Sequence, residues 1–161
     1  MRLMPFVVVA LLAMGSAVQG QGTDITFGGL QADTSQPVEV QSDALTVDQA
    51  TRRGVFTGNV VVTQGPMQLT AAEIEVDYTE AGDGIERLLA RGGVTLTSGV
   101  DAAKAAEAVY TIETGDVVMT GDVLLTQGVA AISGQKLVMN LTTGQGRMEG
   151  RVTTTFVPGN N

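Results

Sequence analysis

Apolar and polar residues alternate along most of this chain, and a glycine interrupts the alternation at a regular place. Around Gly58, the inward step of two gives Phe56, Val60 and Val62, while Thr57, Asn59, Val61 and Thr63 fall on the opposite phase. The same reading gives Leu88, Ala90, Val94 and Leu96, then Val117, Met119, Val123 and Leu125, then Met148, Val152, Thr154 and Phe156. None of these inward positions is charged. Period-two alternation of this kind predicts antiparallel strands with one face buried and one facing water.

The interrupting glycines define a repeat. Gly58-Asn59-Val60, Gly92-Gly93-Val94, Gly121-Asp122-Val123 and Gly150-Arg151-Val152 lie 34, 29 and 29 residues apart. Before each comes a shorter alternating segment: "SDALTVD" at 42–48, "AEIEVDY" at 72–78, "AEAVYTI" at 106–112 and "GQKLVMN" at 134–140. Each unit therefore predicts a short strand, a turn and a longer strand that passes through the glycine. The insertion "TEAGDG" at 79–84 accounts for the extra length of the second unit. A glycine inside a strand has no side chain to pack, so it marks a bend, a bulge or a close approach of backbones. Units this small cannot bury an apolar face alone; they stack on one another, which leaves sheet edges at both ends of the stack. No capping helix is legible at either end, so the edges are candidates for strand addition by a like-built partner.

The beginning of the chain does not fit the repeat. Met1-Arg2 precedes the apolar run Leu3–Met14 and a stretch of small neutral residues up to Gly20. That is the layout of a cleavable signal peptide over residues 1–20, too short for a comfortable membrane span. The expected divisions are then a flexible segment at 21–36, a β domain at 37–157 and a tail at 158–161. The leader implies export, to a bacterial periplasm or the exterior, with the periplasm the expected place.

Composition removes function classes. The chain has no Cys and no His, which excludes disulfide frameworks, Cys-His and Ser-His-Asp catalysis and the common zinc sets. Its net charge is −8, with 9 basic and 17 acidic residues and no basic cluster beyond Arg52-Arg53, which argues against nucleic acid. Glu73, Glu75 and Asp77 share one strand face and read as a solvated surface in preference to a carboxylate pair or metal site. No catalytic residue, metal or cofactor is expected. The aliphatic inner phase is open to two readings, a plain packed core or an apolar groove for acyl chains.

The segment "PVEVQSDALTVDQATRRGVFTGNVVVTQGPMQLTAAEIEVDY" at 37–78, repeated in layout over 106–141, resembles the OstA-like family of periplasmic lipopolysaccharide-transport proteins. The resemblance covers roughly 37–156. It implies an all-β jellyroll of two twisted antiparallel sheets, with a V-shaped hydrophobic interior open at both ends. It also implies a carrier that binds lipopolysaccharide and passes it on without enzymatic chemistry. Phe56, Val60, Val62, Leu96, Met119, Val123 and Leu125, with Phe156 near the exit, would hold the acyl chains. The N-terminal edge, with Val38, Val40, Leu45 and Val47, would meet an anchored inner-membrane component. The C-terminal edge, with Val152, Thr154 and Phe156, would meet the periplasmic domain of the outer-membrane translocon, and copies would stack end to end. Two rival readings remain beside this one: an anchored inner-membrane component of the same pathway, and a structural or adhesive β-repeat protein.

Overall fold

The computed structural model describes residues 23–26, 30 and 32–158, so the candidate signal peptide at 1–20 lies outside the described residues. The described chain is all β. Its strands are β1 (Thr23–Thr26), β2 (Glu39–Gln41), β3 (Ala44–Asp48), β4 (Arg53–Gln64), β5 (Met67–Tyr78), β6 (Ile85–Ser98), β7 (Asp101–Thr111), β8 (Asp116–Gln127), β9 (Ala130–Asn140), β10 (Gln145–Glu149) and β11 (Thr153–Phe156). They form one 11-stranded sheet in the order β1-β10-β9-β8-β7-β6-β5-β4-β2, with β3 also on β4 and β11 also on β9. Every pairing is antiparallel.

This single sheet makes both layers because every long strand turns a corner at mid-length. The register of β4 on β5 jumps between Thr57 and Val60, that of β6 on β7 between Arg91 and Val94, and that of β8 on β9 between Thr120 and Val123. At each jump two residues face one. Both residues of each pair have positive φ: Gly58 and Asn59, Gly92 and Gly93, Gly121 and Asp122, and at the fourth site Gly150 and Arg151. Consecutive left-handed residues are what turn the strand. Asn and Asp tolerate that region better than other side chains, which explains the company the glycines keep. At Gly92, a Cβ would stand 2.6 Å from the Cβ of Ala72, so the corner also needs a residue without a side chain.

The corners divide the sheet into two layers. One holds β3, 53–57, 73–78, 85–91, 107–111, 116–120, 136–140 and β10; the other holds β2, 60–64, 67–71, 94–98, 101–105, 123–127, 130–134 and β11. Inward side chains of both layers are buried in one cluster, including Ile74, Leu88, Met119 and Leu137 from the first and Val62, Leu69, Leu96 and Leu125 from the second. The corner line is a spine, and the strand ends form two rims along the mouth of the fold.

The rims are connected differently. β4–β5, β6–β7 and β8–β9 are joined by the two-residue loops Gly65-Pro66, Gly99-Val100 and Gly128-Val129. In each the glycine has φ between +54 and +59, which suits the first central position of a type II′ hairpin turn. The recurring Thr-Gln-Gly and Thr-Ser-Gly tripeptides are thus the entries to these turns. The opposite rim has longer connections at 49–52, 79–84, 112–115 and 141–144.

Three features depart from the sequence expectation. β5, β7 and β9 are as long as their neighbours, because "MQLTA", "DAAKA" and "AAISG" also join the sheet. The first and last strands of the repeat are each split at the corner, into β2 and β3 at Ser42-Asp43 and into β10 and β11 at Gly150-Arg151. The segment expected to be a flexible lead-in carries β1, paired with β10, and a buried Leu30.

Candidate functional site

The inner surface is where the sequence-selected residues converge. Val60 and Val62 on β4, Leu96 on β6, and Met119, Val123 and Leu125 on β8 are all buried in the same cluster, and Phe56 is half-buried against it. Phe156 is elsewhere: it is 69% exposed on β11, where Thr153, Thr154 and Thr155 are exposed too. The alternation that placed Phe156 inward runs through Val152, which does pack on the core, but β11 lies against β9 beyond the cover of the opposite layer.

Half of the interior went unmarked in the sequence. β5 turns Met67, Leu69 and Ala71 inward, then Ile74 and Val76; β7 turns Asp101 and Ala103 inward, then Ala108 and Tyr110; β9 turns Ile132, then Leu137 and Met139. On these strands a single residue, Ala72, Ala106 or Gln135, occupies the corner. The inward phase therefore shifts by one there, giving a step of three on β5. A search for that step within an alternating pattern would have found them.

Two polar residues bridge the mouth of the fold. Tyr110, near the end of β7 in one layer, donates its hydroxyl to Gln64 Oε1, at the end of β4 in the other, at 2.6 Å. Both are buried. Burial pushes the Tyr110 hydroxyl up to about 12. The Gln64 amide nitrogen in turn donates to the carbonyls of Thr34 and Gln36 at 3.1 and 3.0 Å. Gln64 falls on the inner phase of β4 after Val60 and Val62, but nothing in the sequence paired it with Tyr110.

The outer face of the first layer holds a charge ladder. Arg53 reaches Glu75 at 3.3 Å and Asp77 at 3.0 Å, Arg87 reaches Asp77 at 2.6 Å, and Arg91 lies 3.7 Å from both Glu73 and Glu75. Three cross-strand arginines thus pair the acidic face of β5. These partly exposed pairs are worth well under ~1 kcal/mol each; their arrangement keeps β4, β5 and β6 in register.

The two ends of the sheet differ. At the N-terminal end, β2 and β3 pair only with β4 among the described residues. Val38 and Val40 are half-buried against the core, while Leu45 and Val47 are 50% and 54% exposed. At the C-terminal end, β1 lies on β10, with Thr23 opposite Met148 and Thr26 opposite Gln145, while among the described residues β11 pairs only with β9. Asp24 and Arg147 add an exposed ion pair at 3.1 Å to the β1–β10 contact.

The interior, spine and edges can be compared with known proteins. Residues 39–145 match the family model described as LptA/(LptD N-terminal domain) LPS transport protein. An uncharacterized protein of Rhizobium meliloti (strain 1021) is 29% identical over 113 residues, 66% of this chain; the match spans 61% of that relative, less than two thirds of its length. The lipopolysaccharide export system protein LptA of Escherichia coli (strain K12) is 31% identical over 139 residues, 78% of this chain and 74% of that protein. Among solved structures, LptH, described as the LptA homologous periplasmic component of the lipopolysaccharide transport device of Pseudomonas aeruginosa, superposes with a TM-score of 0.69. That superposition covers 79% of this chain and 99% of LptH at 21% identity, a likeness of fold. With the family model matching about two thirds of its length and its folded sheet shared with a solved relative, the chain belongs to the LptA/(LptD N-terminal domain) family of LPS transport proteins.

Proposed function

We propose that this protein is a periplasmic carrier that holds the acyl chains of lipopolysaccharide between the two layers of its sheet and hands the lipid along a bridge between membranes. The observation that carries this reading is the interior itself: an apolar lining contributed by β4 to β10, with the Gln64–Tyr110 pair at its mouth. The edge strands at its two ends are suited to extending the same lining into a neighbour. Each methylene moved from water into such a lining gains roughly 0.8 kcal/mol, so a multi-acyl lipid is held without any catalytic group. The β2–β3 edge would meet the anchored inner-membrane component, and the β11 edge the outer-membrane translocon or another copy. The acidic outer surface leaves phosphorylated sugars in solvent.

A photoreactive side chain at Val62, on the inner phase, and another at Thr63, on the outer phase, separate carriage from mere packing. Lipopolysaccharide adducts at position 62 and none at position 63 are expected. Equal labelling at both positions, or none at position 62 of the folded protein, would return the inner phase to a structural core.

A further inference from the structure

Leu30 and Ala32 pack into the same buried cluster as the inward residues of both layers, so a lipid that enters between the rims has to displace them. The layers are joined along the spine by continuous strands. Across the mouth they are joined by the Gln64–Tyr110 pair and by the N-terminal segment that Gln64 holds. That segment runs along the mouth against both rims. Ala32 N donates to the Leu141 carbonyl at 2.9 Å, just beyond β9 on the long-loop rim. Thr34 lies against Gly115, in the β7–β8 connection of the same rim, where a Cβ on residue 115 would stand 3.4 Å from its methyl group. The carbonyls of Thr34 and Gln36 then accept from Gln64, on the tight rim. Val38 follows and leads into β2.

Two side chains of this segment enter the interior. Leu30 has no exposure and Ala32 is buried, both inside the cluster that contains Val62, Leu96 and Leu125. An acyl chain entering between the rims meets these side chains first, and they are apolar like itself. Among the described residues, 32–36 donate one backbone hydrogen bond to the sheet and accept two from a single amide side chain, whereas each interior strand is laddered on both sides. The Asp33–Gln36 turn is self-contained, with Ser35 N and the Ser35 hydroxyl donating to Asp33 Oδ1 and Gln36 N to the Asp33 carbonyl. The turn therefore keeps its own hydrogen bonds when it moves off the sheet.

We infer that residues 32–36, with Leu30, are a displaceable strap: it closes the mouth by filling the place of an acyl chain, Gln64 is its latch, and it lifts to admit the lipid. This rests on the carrier reading above and adds to it an entry route along the side of the molecule. The strap couples loading to the edges, because the chain that leaves the mouth continues directly into β2, where the N-terminal partner would bind.

The geometry supplies its own lock. The chain has no Cys, and a Cβ at residue 65 would stand 4.0 Å from the Cβ of Gln36, within the range a disulfide spans. The mature protein carrying Gln36→Cys and Gly65→Cys, with a photoreactive side chain at Leu96, is mixed with purified lipopolysaccharide in oxidised and reduced forms. At least tenfold fewer adducts in the oxidised form, restored by reduction, are expected; equal yields would overturn the strap and leave the carrier reading standing. Absence of adducts in the oxidised form, the reduced form and the cysteine-free parent alike would overturn the carrier reading, and the strap's role in loading with it. A second variant, Gln64→Met, keeps the size of the latch and removes its hydrogen bonds. Hydrogen exchange in the ligand-free protein should speed at least tenfold at the Ala32 amide and leave β6 and β7 unchanged, and adducts should form faster. Exchange at Ala32 as slow as in β6, in parent and variant alike, would overturn the strap without reference to any lipid.

Discussion

The spine and the mouth of this molecule are built from the same repeat and hold the two layers together in opposite ways. Along the spine, glycines with strongly positive φ sit against neighbouring strands so closely that no side chain fits, as at Gly92 and Ala72. Along the mouth, Gly99 has a similar φ of +59 with nothing within 4 Å of where its Cβ would be, and its neighbour Val100 is 85% exposed. The spine is crowded and continuous. The mouth is open turns on one rim, longer loops on the other, and a few hydrogen bonds between. A sheet folded this way resists sliding at the corner and yields at the rims, which is the mechanical character a carrier with a loadable interior requires.

The largest effect expected from breaking this contrast comes from one substitution made at both places. Gly92→Ala adds a Cβ into contact with Ala72 and keeps an unfavourable φ, so it should cost about 3 kcal/mol. Gly99→Ala meets only the φ penalty and should cost about 1 kcal/mol. Urea melts of the two mature variants measure the difference, and equal costs would mean that the corner is no tighter than a turn.

The mouth is tested next by Tyr110→Phe, which leaves Gln64 Oε1 buried without its donor and should cost about 1–2 kcal/mol. The pH dependence has a definite sign. Folding holds the Tyr110 proton up to about 12, whereas an unfolded tyrosine releases it near its ordinary value of about 10. The native state thus binds more protons between those values. The contribution is fully present below about pH 10 and is lost as the pH rises toward 12. The Phe variant should lack that slope in the same pH window.

A smaller effect belongs to the outer ladder. Asp77→Asn removes the carboxylate shared by Arg53 and Arg87. Because these side chains are partly exposed, the loss should stay below about 1 kcal/mol and shrink further in high salt. A loss that is independent of salt would show that packing of the stems, and not charge, holds β4, β5 and β6 together.

The sequence was most informative where the spine preserves its phase. Two residues at each corner of β4, β6 and β8 keep the step of two intact, so Val60, Val62, Leu96, Met119, Val123 and Leu125 were readable as one face. One residue at the corners of β5, β7 and β9 breaks it. In β7 the additional obstacle is "DAAKAAEA", whose alanines have little strand preference and gain their place only by pairing with β6 and β8. Phe156 was misplaced for a related reason. Alternation says which residues share a face, and only tertiary cover decides whether that face is buried. The strap was invisible because Leu30 belongs to no strand period and Gln64, although next on the inner phase after Val60 and Val62, is polar; their meeting is made by the chain's return across the mouth.

The central claim is that lipid lies between the layers, and the span across one strand's two ends reports on it directly. Val100 and Glu113 stand at opposite ends of β7, one on each rim, and both are exposed. Spin labels on Val100→Cys and Glu113→Cys, in a chain with no cysteine of its own, give the distance across the mouth by pulsed electron resonance. On addition of lipopolysaccharide that distance should lengthen and its distribution broaden, with no change for a control pair placed at both ends of one layer. An unchanged distance in protein that demonstrably binds the lipid would contradict the account, because the lipid would then sit somewhere other than between the layers.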